Sequence, residues 1–194
     1  MPWFLFTILG LASVLFIIKV IYILSTTAAL PVTQGALFVS TTKKRIEAFL
    51  DQVPMEKGGL LTDLGCGDGR VLRMAARRYG VNAVGYELNP MAYIKARMYS
   101  LFSRGVHIRF ANFYEADISK ADVVFCYLFP DVMQKISDKV KSELKPGAVF
   151  VSCNFPLPGL AAEKTIRPRG SLHSDPIYIY KTAALQEKNH GPDG

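Results

Sequence analysis

Two carboxylates and a run of glycines carry the plainest chemistry in this chain. In LLTDLGCGDGR, residues 60–70, an apolar run ends at Asp63 and breaks into Gly65, Cys66, Gly67, Asp68 and Gly69. In VGYELNP, residues 84–90, a second apolar run ends at Glu87, with Asn89 and Pro90 just beyond. An apolar run that breaks into glycines reads as a buried strand feeding a loop that opens a helix. Glycines let the backbone approach a ligand closely, and a carboxylate at the next strand end can grip ribose hydroxyls. Together they describe a nucleotide-type cofactor site on a parallel α/β sheet.

Charge narrows the cofactor. The glycines fall as GxGxG, whereas the dinucleotide fingerprint places its third glycine one residue later, packing a helix under a pyrophosphate. Asp63 before the loop and Asp68 within it would repel a pyrophosphate but attract the ammonium and sulfonium of S-adenosylmethionine. The residues resemble the class I methyltransferase family. That resemblance implies that Asp63 contacts the methionine amino end, that Gly65, Gly67 and Gly69 lie under the cofactor, and that Glu87 binds the ribose. Cys66 and Asn89 belong to the same two stretches and are counted with the cofactor contacts. Asn112 and Phe113 stand where the family has an acid and an apolar neighbour around adenine. Asn112 replaces the common Asp; its side-chain carbonyl can accept from the adenine amino group, or it is simply a turn asparagine.

Several stretches are similar to a narrower family, the membrane-anchored lysine methyltransferases of the ATP synthase c-subunit and the adenine nucleotide translocase, with their prokaryotic relatives. The shared features are an N-terminal apolar helix, GALFVST, DLGCGDGR, VGYELNP, the proline and helix in FPDVMQKISDKVKSEL, and CNFPLP. What this implies is direct in-line transfer of a sulfonium methyl to a neutral lysine amine, with no covalent nucleophile required; no dedicated general base stands out in the sequence, which leaves open whether one exists. Positioning and desolvation are then the enzyme's work. Groups that position the acceptor are expected where the fourth and fifth strands end: Tyr127, Pro130, Asn154 and Phe155. Each has a packing role as its alternative, and Tyr127 has no obvious counterpart in the family pattern.

The elements that must hold these residues follow from pattern. Strands are expected at 60–64, 81–86, 106–110, 123–127 and 148–153, alternating with helices at 69–79, 90–103 and 131–144. Such β/α alternation argues for a mostly parallel, Rossmann-like sheet with helices on both faces. Two further strands near 163–167 and 176–181 are expected to close it as an antiparallel hairpin, as in class I methyltransferases. The methyltransferase domain then spans 59–184, followed by a polar tail, 185–194, that reads as disordered. Ahead of the domain, 31–58 forms a bridge with strand or loop character in GALFVST and a short amphipathic helix at 42–52, expected to fold over the cofactor as a lid.

Residues 1–30 read as a transmembrane anchor. From Trp3 to Leu24 the chain is almost wholly apolar, ~33 Å as a helix against ~30 Å of hydrocarbon. Lys19 is the single charge in that run. At the bilayer centre it would cost about 2.5 to 3.5 kcal/mol, but fifteen Leu, Ile, Phe and Val residues at roughly −0.3 to −0.6 kcal/mol each outweigh it, and it can snorkel. A cleaved signal peptide is the rival reading, opposed by the length of the run and the lack of a basic n-region. Lys43, Lys44 and Arg45 follow the helix, so the positive-inside rule places the domain on the cytoplasmic side of a bacterial plasma membrane, or the matrix side of a mitochondrial inner membrane.

The formal charge is +7. Arg70, Arg73, Arg77 and Arg78 recur at helical spacing, with Lys95, Arg97, Arg104 and Arg109 soon after, a stripe for anionic headgroups or merely a solvated face. No aromatic interleaving or known module points to nucleic acid. Cys66, Cys126 and Cys153 lack zinc or CxxC spacing and read as buried residues of a reducing compartment. His107, His173 and His190 are scattered, and no metal site is expected. The leading expectation is a membrane-tethered methyltransferase acting on lysines of a membrane protein. A lipid or quinone methyltransferase, or a non-catalytic binding or assembly protein on the same fold, are the alternatives.

Overall fold

The computed structural model describes residues 3–33, 41–168 and 175–182. Five parallel strands, β1 (Leu60–Leu64), β2 (Asn82–Glu87), β3 (Val106–Phe110), β4 (Val123–Cys126) and β5 (Val149–Cys153), form the body of one sheet. Two short strands, β6 (Lys164–Ile166) and β7 (Ile177–Lys181), close it antiparallel, giving the order β3-β2-β1-β4-β5-β7-β6. Each expected strand is present, within two residues of its expected limits. Chain order reverses between β1 and β4, and at such a switch the connecting loops diverge and open a crevice beyond the carboxyl ends of the strands. Asp63, Tyr127 and Asn154 all stand at that edge.

Strand alternation divides the core into two layers. Val123 and Phe125 face one layer with α2 (Lys43–Gln52) and α3 (Arg70–Tyr79), while Val124 and Cys126 face the other with α5 (Met133–Glu143). Central parallel strands are covered on both faces, which is why β4 is buried at every position. The helix expected at 131–144 begins as a short 310 turn, Pro130–Val132, because a proline at its first position presets φ without needing a backbone donor. The remaining crossover helix, α4 (Pro90–Ser100), ends before the 103 expected.

The described half of the 31–58 bridge is a core element. Ile46, Phe49 and Leu50 of α2 are buried, and the Phe49 ring lies 5.0 Å from that of Phe125. Its leading residue, Thr41, lines the narrow cavity at the crevice. Residues 34–40, most of GALFVST, and the tail 185–194 lie outside the described residues.

At the N-terminus, α1 (Trp3–Thr33) is one helix that passes the expected limit at residue 30. Pro31 forfeits one backbone donor, but the helix runs only two residues farther, so little is interrupted. Its segment Trp3–Leu24 is long and apolar enough to cross a membrane, and none of it is buried against the domain. Neither core layer draws a described residue from it.

Candidate active site

The β1–α3 loop is shaped by conformations that L side chains resist. Gly65, Gly67 and Gly69 all have positive φ, and Gly69 sits left-handed at the N-cap of α3. A Cβ on Gly65 would also stand 3.0 Å from Leu128. A glycine that pattern reading passed over, Gly85 within β2, is required for a different reason. A Cβ there would meet Leu72 at 2.5 Å and the Cys66 sulfur at 2.6 Å, so strand and loop approach more closely than any side chain allows. That approach brings the ends of β1 and β2 together.

Glu87 spans the gap. One carboxylate oxygen accepts from Gly67 N at 2.8 Å and the other from Asn89 N at 2.8 Å, so the residue expected to hold ribose also pins the glycine loop. Asn89 caps α4, its side chain accepting from Met91 N and Ala92 N. Its side-chain oxygen is therefore engaged by the helix start and its backbone donor by Glu87. Burial raises the Glu87 pKa, offset by backbone donors from Asn89, Gly67 and Leu88.

Asp63 differs. It is 2 % exposed, and no cation pairs with it among the described residues. Burial first, then the charges of Glu87 and Asp68, push its carboxyl well above the usual carboxylate range. Burial would raise Asp68 too, but the Arg70 guanidinium, 2.6 Å away, holds it below its ordinary value. The loop thus encloses three acids of which the deepest has no counter-charge. A bound ammonium or sulfonium would supply one, so these residues fit S-adenosylmethionine on their own electrostatics.

The same narrow cavity is lined by Thr41, Asp63, Gly65, Cys66, Gly67, Asp68 and, across from them, Phe125 and Tyr127. Cys66 is a buried neutral thiol, its pKa pushed up by burial and then by Asp63 and Glu87. Cys126 is likewise buried, pushed up to about 12. Phe113 is buried in the layer of Tyr86 and Leu64, and Asn112 starts a 310 turn, its side-chain oxygen accepting from Tyr114 N at 3.0 Å. That oxygen keeps one lone pair beyond the turn bond.

At the ends of β4 and β5 the structure brings together what the sequence only placed in parallel. Asn154 Nδ2 donates to Tyr127 Oη at a long 3.4 Å. Asn154 is the one non-glycine residue with positive φ among the described residues, and its Oδ1 is buried without a partner. Both the left-handed backbone and the orphaned carbonyl are costly, and such costs concentrate at functional sites. Beneath them lies Arg45, which the sequence reading counted only among the charges flanking the anchor, although a base on the apolar face of an amphipathic helix was a visible signal. Its guanidinium sits 5.0 Å from the Tyr127 ring centre and pairs with Asp175. Burial would weaken its charge, yet hydrogen bonding to Tyr127 and Asp175 keeps its pKa above the ordinary value. Pro130 opens the 310 turn, and Phe155 contributes its carbonyl to Ser152 Oγ and packs against the α5 layer.

A seven-stranded sheet of this order, with an acid-flanked glycine loop at β1 and a loop-bracing acid at β2, defines a class I S-adenosylmethionine-dependent methyltransferase. The family described as the ANTKMT methyltransferase domain matches residues 63–164, and the chain belongs to it. A protein-lysine N-methyltransferase of Saccharolobus islandicus is 32% identical over 148 residues, covering 74% of this chain and 91% of that one. The mouse lysine N-methyltransferase of the ATP synthase c-subunit is 33% identical over 161 residues, 80% of this chain but 62% of that one. Among solved structures, an RNA methyltransferase from Salinibacter ruber in complex with S-adenosyl-L-homocysteine is 34% identical, with a TM-score of 0.68 over 74% of this chain and 93% of that chain. The chain is an S-adenosylmethionine-dependent methyltransferase.

Proposed function

We propose that this enzyme methylates lysine side chains of a membrane protein, held to the bilayer by α1, with Asp63, the glycine loop and Glu87 as the cofactor half of its site and Tyr127 and Asn154 as the acceptor half. The observation that carries the acceptor class is the similarity, over about three quarters of the chain, to relatives named as lysine methyltransferases. S-adenosylmethionine supplies an electrophilic methyl on a sulfonium.

The chain's residues then have three tasks. Asp63 and Asp68 neutralise the cationic end of the ligand, and Glu87 accepts from ribose hydroxyls with the lone pairs its backbone bonds leave free. Asn154 Oδ1 accepts a hydrogen from the incoming amine, aiming the nitrogen lone pair into the crevice, with Tyr127 Oη beside it. A lysine arrives mostly as ammonium, its pKa near ~10.4 in water. Exclusion of water from the crevice disfavours the charged form and favours the neutral amine that the reaction consumes. With the cofactor held by Asp63, the glycine loop and Glu87, its C–S bond would break as the C–N bond formed, and the nitrogen's extra proton would leave to solvent.

An RNA acceptor is the second reading, favoured by the Salinibacter relative. Purified enzyme, wild type and Glu87→Ala, is incubated with radiolabelled S-adenosylmethionine and membranes from a strain lacking the gene, with and without ribonuclease. Glu87-dependent label in a protein band, stable to ribonuclease, is expected. Label lost with ribonuclease, or found only in extracted lipid, would replace the lysine reading.

A further inference from the structure

The outward face of α4 runs against the usual rule for a surface helix. Its inward face is built of small residues, Ala92, Ala96 and Ser100, all buried. Its outward face carries Ile94 and Met98 and continues into Leu101 and Phe102, spaced i, i+4, i+7 and i+8 along one stripe. Met98 is 68 %, Leu101 72 % and Phe102 94 % exposed. A helix facing water places polar residues there, and a contiguous apolar stripe marks an interaction site.

Cations frame that stripe. Lys95 and Arg97 flank it on the helix, and Phe102 forms one wall of a groove whose lining includes Lys43, Arg73, Arg77 and Arg104. Arg77, Arg97 and Arg104 make no ion pair or hydrogen bond among the described residues. Apolar side chains rimmed by uncompensated cations match the two layers of an anionic bilayer surface, acyl chains below and phosphates above. α1 also touches α4, while Met98, Leu101 and Phe102 of the stripe stay exposed.

We infer that the domain has a second membrane contact: the outward face of α4, with the adjacent basic groove, lies in the headgroup region of an anionic bilayer. This contact fixes how the domain sits on the surface, whereas α1 alone would leave it free to swing. The inference rests on the reading that α1 inserts, and the two are separable.

Full-length protein carrying Met98→Cys is labelled with a fluorophore, the three native thiols being buried, and reconstituted into phosphatidylcholine vesicles with or without phosphatidylglycerol. Lys141→Cys, an exposed position on α5 across the sheet, is the reference. Spin-labelled lipid is expected to quench position 98 but not 141, more strongly with phosphatidylglycerol, and the double variant Arg77→Gln, Arg104→Gln should lose that gain. Quenching at 98 no greater than at 141 overturns the contact. So does equal shielding of 98 from a water-soluble quencher in detergent, which assigns the face to α1 or a second copy. Extraction of the chain by alkaline carbonate would instead break the anchor reading.

Discussion

The two halves of the site are made in different ways. The cofactor half is local: Asp63, Gly67, Glu87 and Asn89 lie within one β-α-β unit, and Glu87 satisfies two backbone donors there. The proposed acceptor half is assembled from Arg45, Tyr127, Asn154 and Asp175, residues as much as 130 positions apart, and it retains an orphaned carbonyl and a strained backbone. A cofactor that is always the same can be met by a finished, braced loop. An acceptor amine that must enter, react and leave is better met by a group whose hydrogen bond is still unmade.

The sharpest break of this contrast comes at Glu87. Glu87→Ala should weaken S-adenosylmethionine binding by about a hundredfold in calorimetry, two charge-assisted hydrogen bonds of about 1.5 kcal/mol each being lost. The circular dichroism of the sheet should persist. Unchanged affinity would move the ribose contact elsewhere. On the acceptor side, Arg45→Met should lower stability by about 2 kcal/mol in denaturant unfolding. That is less than for a fully buried ion pair, because water can solvate the released Asp175.

Asn154→Gly keeps the left-handed backbone without strain and removes the carbonyl. Turnover should fall about tenfold while cofactor affinity is unchanged, one positioning hydrogen bond being worth about 1.4 kcal/mol. An equal loss of cofactor binding would erase the division into halves.

The smallest effect concerns Asp63, and its sign is opposite for folding and for binding. An acid whose pKa is raised on folding binds its proton more tightly in the native state. The stability this provides is present below the ordinary carboxylate pKa and lost as pH rises through the folded value. Cofactor-free protein should therefore become less stable as pH rises across that window. Asp63→Asn should flatten the dependence and raise the neutral-pH melting temperature slightly while reducing cofactor affinity. A melting temperature lowered by the substitution would show that Asp63 already has a stabilising partner.

Much of the fold was legible because parallel strands announce themselves as short apolar runs punctuated by glycine and proline, and every expected strand of the sheet is present. The glycine loop was legible for the same local reason. Gly85 was not, since the need for a bare Cα arises from Leu72 and Cys66 pressing on β2 from another element. Asn89 and Asn112 were placed at the right strand ends, yet both side-chain carbonyls are engaged by the next turn of backbone.

By itself the sequence determined the order of elements, the apolar N-terminal helix, and the two acids beside the glycines, because each depends on neighbours within a few residues. Only the tertiary structure decided that Asp63 is without a counter-cation among the described residues, that α2 joins the core and carries Arg45 under Tyr127, and that α4 turns its larger apolar side chains outward. Burial, charge pairing and exposure are set by contacts between distant segments, and no local pattern of residue types contains them.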